Sequence, residues 1–276
     1  MVLIILHLVL FVFILYSSVL LMWWGVLFLH SLVFMAMMKM YWGRFTLINY
    51  FLVQEMSGSL MLLSALWEEG LSLFLMVKMG ASPLHFWVFN VCSEMPGEYL
   101  MWFMTVQKLP FMSVMSGVLN ESLLLVLLFG VVVCNLQAML HSSFRQLIIL
   151  GSTDTLSWNL LWMSLESGES VFSYVLYVVS TWFLLGSVVE NSDFESVESF
   201  MWVSGAPGMF GLYMKIFFVG GLGESWLGFT FVLVVFMSVL IWSFLYLTVK
   251  LSLWSKNSSK FTGVVLLFLN LFMLME

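Results

Sequence analysis

Residues 2–38 read VLIILHLVLFVFILYSSVLLMWWGVLFLHSLVFMAMM, a run without a single charged side chain. A membrane-spanning helix needs about 20 mostly apolar residues, so this run is long enough for two spans with a weak boundary at Ser17 and Ser18. A membrane β-barrel would instead show alternating polar and apolar residues. The run also lacks the basic start and the cleavage motif of a signal peptide. It therefore predicts the first two helices of an all-α membrane protein.

The composition indicates that the whole chain, and not only its first two helices, lies in a membrane. Of the 276 residues, 62% are apolar and 9% are charged, whereas globular domains average about 45–50% and about 25%. At roughly 25 residues per span and turn, the length allows about eleven helices and leaves no room for an extramembrane domain. We expect a single integral membrane domain over residues 1–276. The composition excludes a soluble enzyme, a nucleic-acid binder and a receptor with a folded ectodomain.

Polar and glycine-containing clusters mark the ends of the helices. Examples are the segments 39–44, 94–98 and 190–199. We predict a polytopic transmembrane helical bundle whose spans cover residues 2–17, 18–38, 46–66, 70–90, 98–116, 121–141, 145–164, 169–189, 201–222, 225–250 and 259–275. Because lipid offers no partners for backbone N–H and C=O groups, each span must satisfy its hydrogen bonds internally.

The connections between the predicted spans differ in charge from one side to the other. Basic residues occur in even-numbered connections, which all lie on one side: Lys39, Arg44, Arg145, Lys250, Lys256 and Lys260. The odd-numbered connections carry acidic residues and no basic residue: Glu68, Glu69, Glu121, Glu166, Glu169 and Glu224. Lysine and arginine favour the cytoplasmic or matrix side of a membrane. The pattern therefore predicts that the N-terminus lies on that side.

Three lysines, Lys78, Lys108 and Lys215, lie inside predicted spans. A charged side chain at the centre of a bilayer costs about 2.5–3.5 kcal/mol on insertion scales. Lys78 and Lys108 are too far from either end of their spans to reach a headgroup easily, whereas Lys215 could. A single lysine of this kind fits a paired structural charge as well as it fits an ion pathway or a proton relay.

Each of these lysines is close to a proline in the sequence, namely Pro83, Pro110 and Pro207. Proline removes a helical hydrogen bond and kinks or breaks the helix. Broken helices at membrane depth are tolerated where they are buried in protein or line a hydrated cavity. We favour a functional polar axis in which the lysines load and release protons. The alternative is that the lysines are paired structural charges and that the prolines are ordinary kinks.

Other polar residues inside the spans are candidate partners of the lysines. Glu55 lies near the middle of its span and is the best partner for a lysine charge. His85 follows Lys78 by seven residues and would lie on nearly the same face of a helix that continued past Pro83. Asp154 could be a buried partner or a polar residue near a helix turn, and the sequence leaves both interpretations open.

The histidines and cysteines do not predict a metal or redox centre. The four histidines lie on four different predicted spans, and His7 and His30 are expected to be isolated packing residues. Cys92 and Cys134 are far apart and form no C-x-x-C motif. A haem, an iron–sulfur cluster and a disulfide framework are therefore unsupported. We predict that the chain binds no metal and no cofactor.

Several motifs resemble the subunit 2 family of mitochondrial NADH:ubiquinone oxidoreductase, respiratory complex I. They are NYFLVQ at 49–54, KMGASPLHFWV at 78–88, TVQKLP at 105–110, LHSSFRQLIILGS at 140–152 and the glycine- and proline-containing run 205–215. The family patterns are roughly K-Y-F-L-x-Q, K-L-G-x-A-P-x-H-F-W, T-x-Q-K, L-R-K-x-L-A-Y-S-S and G-x-P-P-x-x-G-F-x-x-K. The K-x-G-x-x-P-x-H-F-W core is the specific match, and the others occur in the right order.

The resemblance implies an antiporter-like membrane subunit of the shortened, mitochondrially encoded animal type. Such a subunit has eleven helices in many animals, lies in the mitochondrial inner membrane and has its N-terminus on the matrix side. The resemblance also implies that the subunit takes part in proton translocation coupled to NADH oxidation by ubiquinone, and that the subunit has no redox centre of its own. NADH, FMN, the iron–sulfur clusters and ubiquinone would belong to the rest of the complex. The implied partners are neighbouring antiporter-like subunits and phospholipids.

The motif match also assigns roles to residues of this chain. Lys78 would be the central proton-loading lysine, Lys108 the linking lysine and Lys215 the terminal lysine. His85 would help to hydrate the path between them. These roles are implied by the resemblance and not by the residue spacing alone.

The chain departs from the family pattern at a position that matters for this mechanism. The family has a glutamate on the preceding helix, and it should fall near Val26 or Leu27, where no acid occurs. We hypothesise that Glu55 replaces it from the neighbouring helix. The missing glutamate keeps open the alternative of a non-pumping structural membrane subunit. A free-standing cation/proton antiporter with the same lysine axis is a second alternative.

Overall fold

The computed structural model describes residues 2–64, 70–119, 123–140 and 144–165, and in addition Val178 and Lys215. Within these ranges the regular secondary structure is helical and includes no strand. The helices are α1 (Val2–Tyr16), α2 (Leu20–Met38), α3 (Arg44–Ser64), α4 (Leu71–Met79), α5 (Phe86–Ser93), α6 (Gly97–Met104), α7 (Leu109–Ser116), α8 (Leu123–Leu140) and α9 (Phe144–Leu165). Apart from Val178 and Lys215, the predicted spans 169–189, 201–222, 225–250 and 259–275 lie outside the described residues.

The weak boundary predicted at Ser17 and Ser18 separates α1 from α2. The backbone N–H and the hydroxyl of Ser17 both donate to the carbonyl of Ile14, at 3.2 and 3.0 Å. The indole N–H of Trp23 donates to the carbonyl of Ser17 at 2.7 Å. These bonds provide donors for the carbonyls of Ile14 and Ser17. The next helix, α2, begins at Leu20 and packs against α1.

The outer surface of the first helices is apolar. Val2, Ile5, Val9 and Phe13 on α1 each expose more than half of their surface. Among the described helices, α2 is long and apolar enough to cross a membrane on its own, and α1 and residues 123–138 are shorter apolar helices. Such surfaces are unfavourable in water and ordinary in contact with lipid.

The predicted span 70–90 consists of two helices, α4 and α5, with a break at residues 80–85. Gly80 ends α4 in the left-handed conformation with φ of +67°. A Cβ atom on Gly80 would lie 2.4 Å from Cγ2 of Val88, so glycine is the residue that fits there. Pro83 has no N–H to donate to the carbonyl of Met79 four residues earlier. The predicted proline-associated break is therefore confirmed in this span.

The predicted span 98–116 is also broken. It consists of α6, a 3₁₀ turn at Val106–Lys108 and α7. Pro110 stands in the first turn of α7 and cannot donate to the carbonyl of Val106. The backbone tightens ahead of the proline, where the N–H of Lys108 donates to the carbonyl of Thr105 at 3.2 Å. Both breaks thus begin a few residues before the proline.

The core has two apolar clusters with a polar layer between them. The first cluster includes Leu27, Met61, Met79, Phe111, Leu127 and Leu156. The second includes Phe34, Tyr50, Val91, Phe103, Leu147 and Leu150. Along α2, α3, α9 and the turn before α7, buried polar residues fall between members of the two clusters. We define the polar layer as His30, Gln54, Gln107, Lys108, Thr153 and Asp154.

Three even-numbered connections meet at one end of the bundle. The carboxylate of Glu94, after α5, accepts hydrogen bonds from the N–H of Gly43 at 2.8 Å and from the hydroxyl of Thr46 at 2.5 Å, at the start of α3. The guanidinium of Arg145, in the first turn of α9, donates to the carbonyl of Met95. The second, fourth and sixth connections therefore lie on the same side, as the charge pattern predicts.

Glu94 is expected to make the stability of this end depend on pH. The donors at Thr46 and Gly43 hold the pKa of its carboxyl below the ordinary value of 4.5. A carboxyl with a depressed folded-state pKa stabilises the fold above the unfolded-state pKa and loses that contribution as the pH falls through the folded-state pKa. Glu94→Gln should lower the melting temperature in detergent at pH 7. The loss in the free energy of unfolding should be at most about 1 kcal/mol, because Glu94 is exposed.

The difference between Glu94→Gln and the parent protein should shrink as the pH falls below the ordinary carboxyl pKa of 4.5. It should vanish once the pH is below the lowered folded-state pKa, where both side chains are neutral. Glu98→Gln removes another exposed carboxylate nearby, in the first turn of α6, and serves as the control. A Glu94 effect that is equally large at low pH would contradict this prediction.

Candidate functional site

Lys78 lies in the last turn of α4, directly before the first break. Its exposed fraction is 3%, against 2% for Lys108 and 5% for Lys215. A Cβ atom on Gly58 would lie 3.0 Å from Nζ of Lys78 and 3.2 Å from Nε1 of Trp24. The ammonium group therefore rests against the backbone of α3. The carbonyl end of α4 favours its positive charge.

Two carbonyl groups at the end of α4 accept hydrogen bonds from side chains around the first break. Nε2 of Gln54 donates to the carbonyl of Lys78 at 3.1 Å, and the indole of Trp87 donates to the carbonyl of Val77 at 3.0 Å. Buried backbone groups are costly when they have no partner. These bonds therefore hold the broken end of α4 in a defined position and fix where the Lys78 side chain starts.

Glu55 lies one turn before Gly58 on α3. It is close enough to Lys78 to interact with it electrostatically, but within the described part of the chain their charged atoms form no ion pair within 4.0 Å. Oε1 of Glu55 is buried and has no hydrogen-bond partner among the described residues. Glu55 has the proximity that the hypothesis of an acid partner requires, and its role stays a prediction.

A small cavity joins Lys78 to Lys108. Its volume is about 10 Å³, which is room for about one water molecule. Its other lining residues are Tyr50, Gln54, Met79, Phe103, Gln107 and Phe111, so it is bounded by both apolar clusters at the level of the polar layer. Three lining residues contribute buried polar atoms without a hydrogen-bond partner among the described residues: Oε1 of Gln54, Oε1 of Gln107 and Nζ of Lys108. A water needs two to four such partners.

The row of polar groups continues from Lys108 towards α8 and α9. Lys108 lies within electrostatic range of Cys134 on α8. Sγ of Cys134 is 3.5 Å from Oγ1 of Thr153, and Cys134 is also within electrostatic range of Asp154 and Lys215. The structure therefore places Lys78 and Lys108 on one cavity and pairs Lys215 with Asp154, and a continuous path through all three lysines stays a prediction.

Asp154 on α9 forms an ion pair and hydrogen bond with Nζ of Lys215, and both side chains are buried. The sequence left open whether Asp154 is a buried partner, and the structure establishes that it is. The two residues are 61 positions apart, so no local spacing connects them. The available signal was the acid itself within an apolar span, which requires a partner.

Two contacts fix the first break to α8. Nε2 of His85 is hydrogen-bonded to Oε1 of Gln137 at 2.7 Å, and the hydroxyl of Ser82 donates to the carbonyl of Gly130 at 2.6 Å. A Cβ atom on Gly130 would lie 2.4 Å from the carbonyl oxygen of Ser82. His85 is fully buried and does not line the cavity between the lysines. The predicted role of His85 in hydrating the path between the lysines stays a prediction.

The groups available in this row bind and release protons. They are primary amines, carboxylates and, in the break, an imidazole. The described residues include no group of three or more histidine, cysteine, aspartate or glutamate side chains that could hold a metal ion. Cys92 and Cys134 are free and buried. The arrangement is suited to proton transfer along a line of buried groups.

Comparison with curated proteins finds relatives named NADH-ubiquinone oxidoreductase chain 2. The relative from Caenorhabditis elegans is 31% identical over 228 residues, covering 80% of this chain and 80% of the relative. That from Ascaris suum is 31% identical over 204 residues, covering 73% and 67%. That from Locusta migratoria is 26% identical over 202 residues, covering 61% and 59%. No protein-family model matches the chain.

Proposed function

The chain belongs to the NADH-ubiquinone oxidoreductase chain 2 family, and from this membership we propose that it is a membrane-arm subunit of respiratory complex I that takes part in proton translocation. The site would take part in proton movement across the mitochondrial inner membrane. The complex would couple this movement to the reduction of ubiquinone by NADH. The chain itself would hold no redox group, since NADH, FMN, iron–sulfur clusters and ubiquinone would be bound elsewhere in the complex.

The observation that carries this proposal is the row of buried lysines at the level of the polar layer. Lys78 and Lys108 line one cavity, and Lys215 is paired with Asp154. Buried lysines on broken helices are unfavourable unless they serve a function or are fully compensated. Nζ of Lys108 has no hydrogen-bond partner among the described residues, so no direct bond within that part of the chain compensates its charge.

The row supports transfer of protons by alternating charge. Two ammonium groups on one small cavity repel each other, so a proton on Lys78 favours a neutral Lys108. A water in the cavity would carry the proton from Nζ of Lys78 to Nζ of Lys108. A positive charge on Lys108 would then draw the carboxylate of Asp154 away from Lys215, and Lys215 would release its proton.

The membrane topology is part of the same proposal. The chain would form one integral domain over residues 1–276 with about eleven spans, the N-terminus and the even-numbered connections lying on the matrix side. The contacts of Glu94 and Arg145 that gather these connections at one end support this arrangement. Neighbouring antiporter-like subunits and phospholipids would cover the apolar outer faces.

The proposal is tested by measuring proton movement and NADH oxidation together in sealed inner-membrane vesicles that contain the intact complex. Substitution of the lysines of the row should slow both. Unchanged rates would favour a non-pumping structural subunit. Recovery of the chain only apart from a large NADH-oxidising assembly, while that assembly survives extraction, would favour a free-standing cation/proton antiporter.

Gly58→Ala is expected to slow proton movement by moving the ammonium group of Lys78. The added methyl group would lie 3.0 Å from Nζ of Lys78 and 3.2 Å from Nε1 of Trp24. Both contacts are too close, so the flexible lysine tip and the indole would shift by a few tenths of an ångström. Misplacement on this scale should reduce the rate of proton movement about two- to tenfold. The fold should be unaffected or slightly more stable, because alanine replaces glycine within a helix.

Gly25→Ala on α2 is the matched control, because a Cβ atom on Gly25 meets no other atom within 4 Å. The vesicle assay should show normal rates for this variant. Equal rates for Gly58→Ala and Gly25→Ala would show that the position of the Lys78 ammonium group does not matter.

A further inference from the structure

Two glutamines that line the cavity between Lys78 and Lys108 are held by hydrogen bonds from their amide nitrogens. Nε2 of Gln54, on α3, donates to the carbonyl of Lys78 at 3.1 Å. Nε2 of Gln107, in the turn before α7, donates to the hydroxyl oxygen of Tyr50 at 3.0 Å. A backbone carbonyl only accepts hydrogen bonds, so the amide of Gln54 cannot turn over without losing its bond. In each glutamine the nitrogen is therefore committed, and the oxygen is the atom left to bind something else.

The two amide oxygens belong to a group of three buried polar atoms around this cavity. Oε1 of Gln54, Oε1 of Gln107 and Nζ of Lys108 have no hydrogen-bond partner among the described residues. The exposed fractions of these side chains are 1%, 3% and 2%. Burying a polar atom without a partner is costly. Three such atoms around one cavity therefore indicate a molecule that bonds to all of them.

A single water molecule matches the cavity in size and in hydrogen bonding. The volume of about 10 Å³ is room for about one water, and cavities that stay dry are lined by apolar groups. A water has two hydrogens for the two amide oxygens and lone pairs for the ammonium group of Lys108. An anion would face two carbonyl oxygens, which repel it. The lining therefore selects a neutral hydrogen-bond donor.

The buried imidazoles near this level of the bundle do not contribute to the cavity. The rings of His7 on α1 and His30 on α2 are stacked with their centroids 3.7 Å apart, so the prediction that these histidines are isolated is wrong. The ring of His7 lies 5.6 Å from that of Trp102, and the ring of His30 lies 6.1 Å from that of Phe111. Neither histidine lines the cavity. The predicted packing role agrees with these aromatic neighbours.

We propose that Gln54 and Gln107 bind one water molecule between Lys78 and Lys108 and act as positioning residues for proton transfer between the two amines. The proposal deepens the proton-translocation function and rests on it. The glutamines take up no proton themselves. They act by keeping the water within reach of both Nζ atoms, because a proton carrier that is free to leave or to turn away transfers more slowly.

The transfer through this water is balanced in atoms and charge. When Lys78 is charged and Lys108 is neutral, a proton leaves Nζ of Lys78 for the oxygen of the water, and one of the water's own protons passes to Nζ of Lys108. The other hydrogen of the water stays bonded to a glutamine oxygen. The water is regenerated, and the total charge of the two amines stays at one positive unit.

The test combines vesicle assays of proton movement with electron cryomicroscopy of the intact complex at a resolution that shows ordered waters. The map of the parent complex should show one peak within hydrogen-bonding distance of Oε1 of both Gln54 and Gln107. Gln54→Met and Gln107→Met keep a similar side-chain volume and remove the acceptor. Each should lose the peak and slow proton movement at least about tenfold. The double variant should be no slower than the slower single variant, because both residues act through one water.

Asn135→Leu is the matched control. Asn135 is a buried amide on α8 that bonds to the carbonyl of Val131 in its own helix and does not line the cavity. This variant should keep both the peak and the normal rate. If Gln54→Met shifts the end of α4 in the map, Gln107→Met decides, because it leaves the bond between Gln54 and the carbonyl of Lys78 intact.

The outcomes separate the water site from the lysines. A parent map without the peak, a slow Gln107→Met variant that keeps the peak, or normal rates in both glutamine variants would overturn the water site. If Lys78→Met is slow in the same assay, the proposed function still stands. Normal proton movement in Lys78→Met would remove the proposed function itself, whatever the map shows between the glutamines.

Discussion

Lys78→Met is expected to slow NADH-driven proton movement by the intact complex at least about a hundredfold, the contribution typical of a positioned proton-transfer group. NADH oxidation should fall with it, and an uncoupler should not restore it, because the step that fails is internal to the complex. Methionine has a similar length and is apolar. It fills the space beside Gly58 without a charge, so the complex should assemble normally.

Lys39→Met is the matched control for this experiment. Lys39 follows α2 in the second connection and is exposed. The same chemical change at that position should leave both rates within experimental error of the parent complex. If Lys78→Met assembles and behaves like Lys39→Met, the buried lysine is structural and the chain does not carry protons along this row.

The broken helices were predictable from sequence because their cause is local. A proline cannot donate to the carbonyl four residues earlier, and Gly80 permits the left-handed conformation that ends α4. The helix ends themselves were not predicted. Spans 70–90 and 98–116 were expected to break or kink at Pro83 and Pro110, whereas the backbone opens a few residues ahead of both prolines.

The identity of the partners in the site could not be predicted in the same way. The contacts of Asp154 with Lys215 and of His7 with His30 join residues far apart in the chain. A buried charge or imidazole in the sequence indicates that a polar partner is needed. Which residue is that partner depends on which helices pack together and on how each helix is rotated about its axis. The sequence therefore supplied the members of the row and left their pairing to the tertiary structure.

The two apolar clusters explain why the polar groups converge at one level. Along each of α2, α3 and α9, the buried apolar residues of one part belong to one cluster and those of the other part to the second cluster. The buried polar residues lie between the two parts. The first break places Lys78 at that level, and the turn before α7 places Lys108 there. Proton transfer in the middle of a membrane requires this convergence, because a buried charge is stabilised only by polar groups within a few ångströms.

Asp154→Leu is expected to have the largest effect on stability. It leaves Lys215 buried without its ion-pair partner, and removal of one member of a buried pair costs about 3–5 kcal/mol. The amount of assembled complex in the membrane should fall severely. Asp154→Leu combined with Lys215→Met removes both charges, and an apolar pair of similar volume is often as stable as the ion pair it replaces. The double variant should therefore recover assembly, which native electrophoresis and thermal unfolding measure.

Recovered assembly separates the structural role of the pair from its role in transfer. If the pair belongs to the proton path, the double variant should assemble and still move protons at least about a hundredfold more slowly than the parent complex. The matched control is Ser152→Ala, which removes a buried hydroxyl on the same helix without changing charge. A double variant that both assembles and pumps at the normal rate would mean that Asp154 and Lys215 only hold each other in place, and the proton path would have to end before α9.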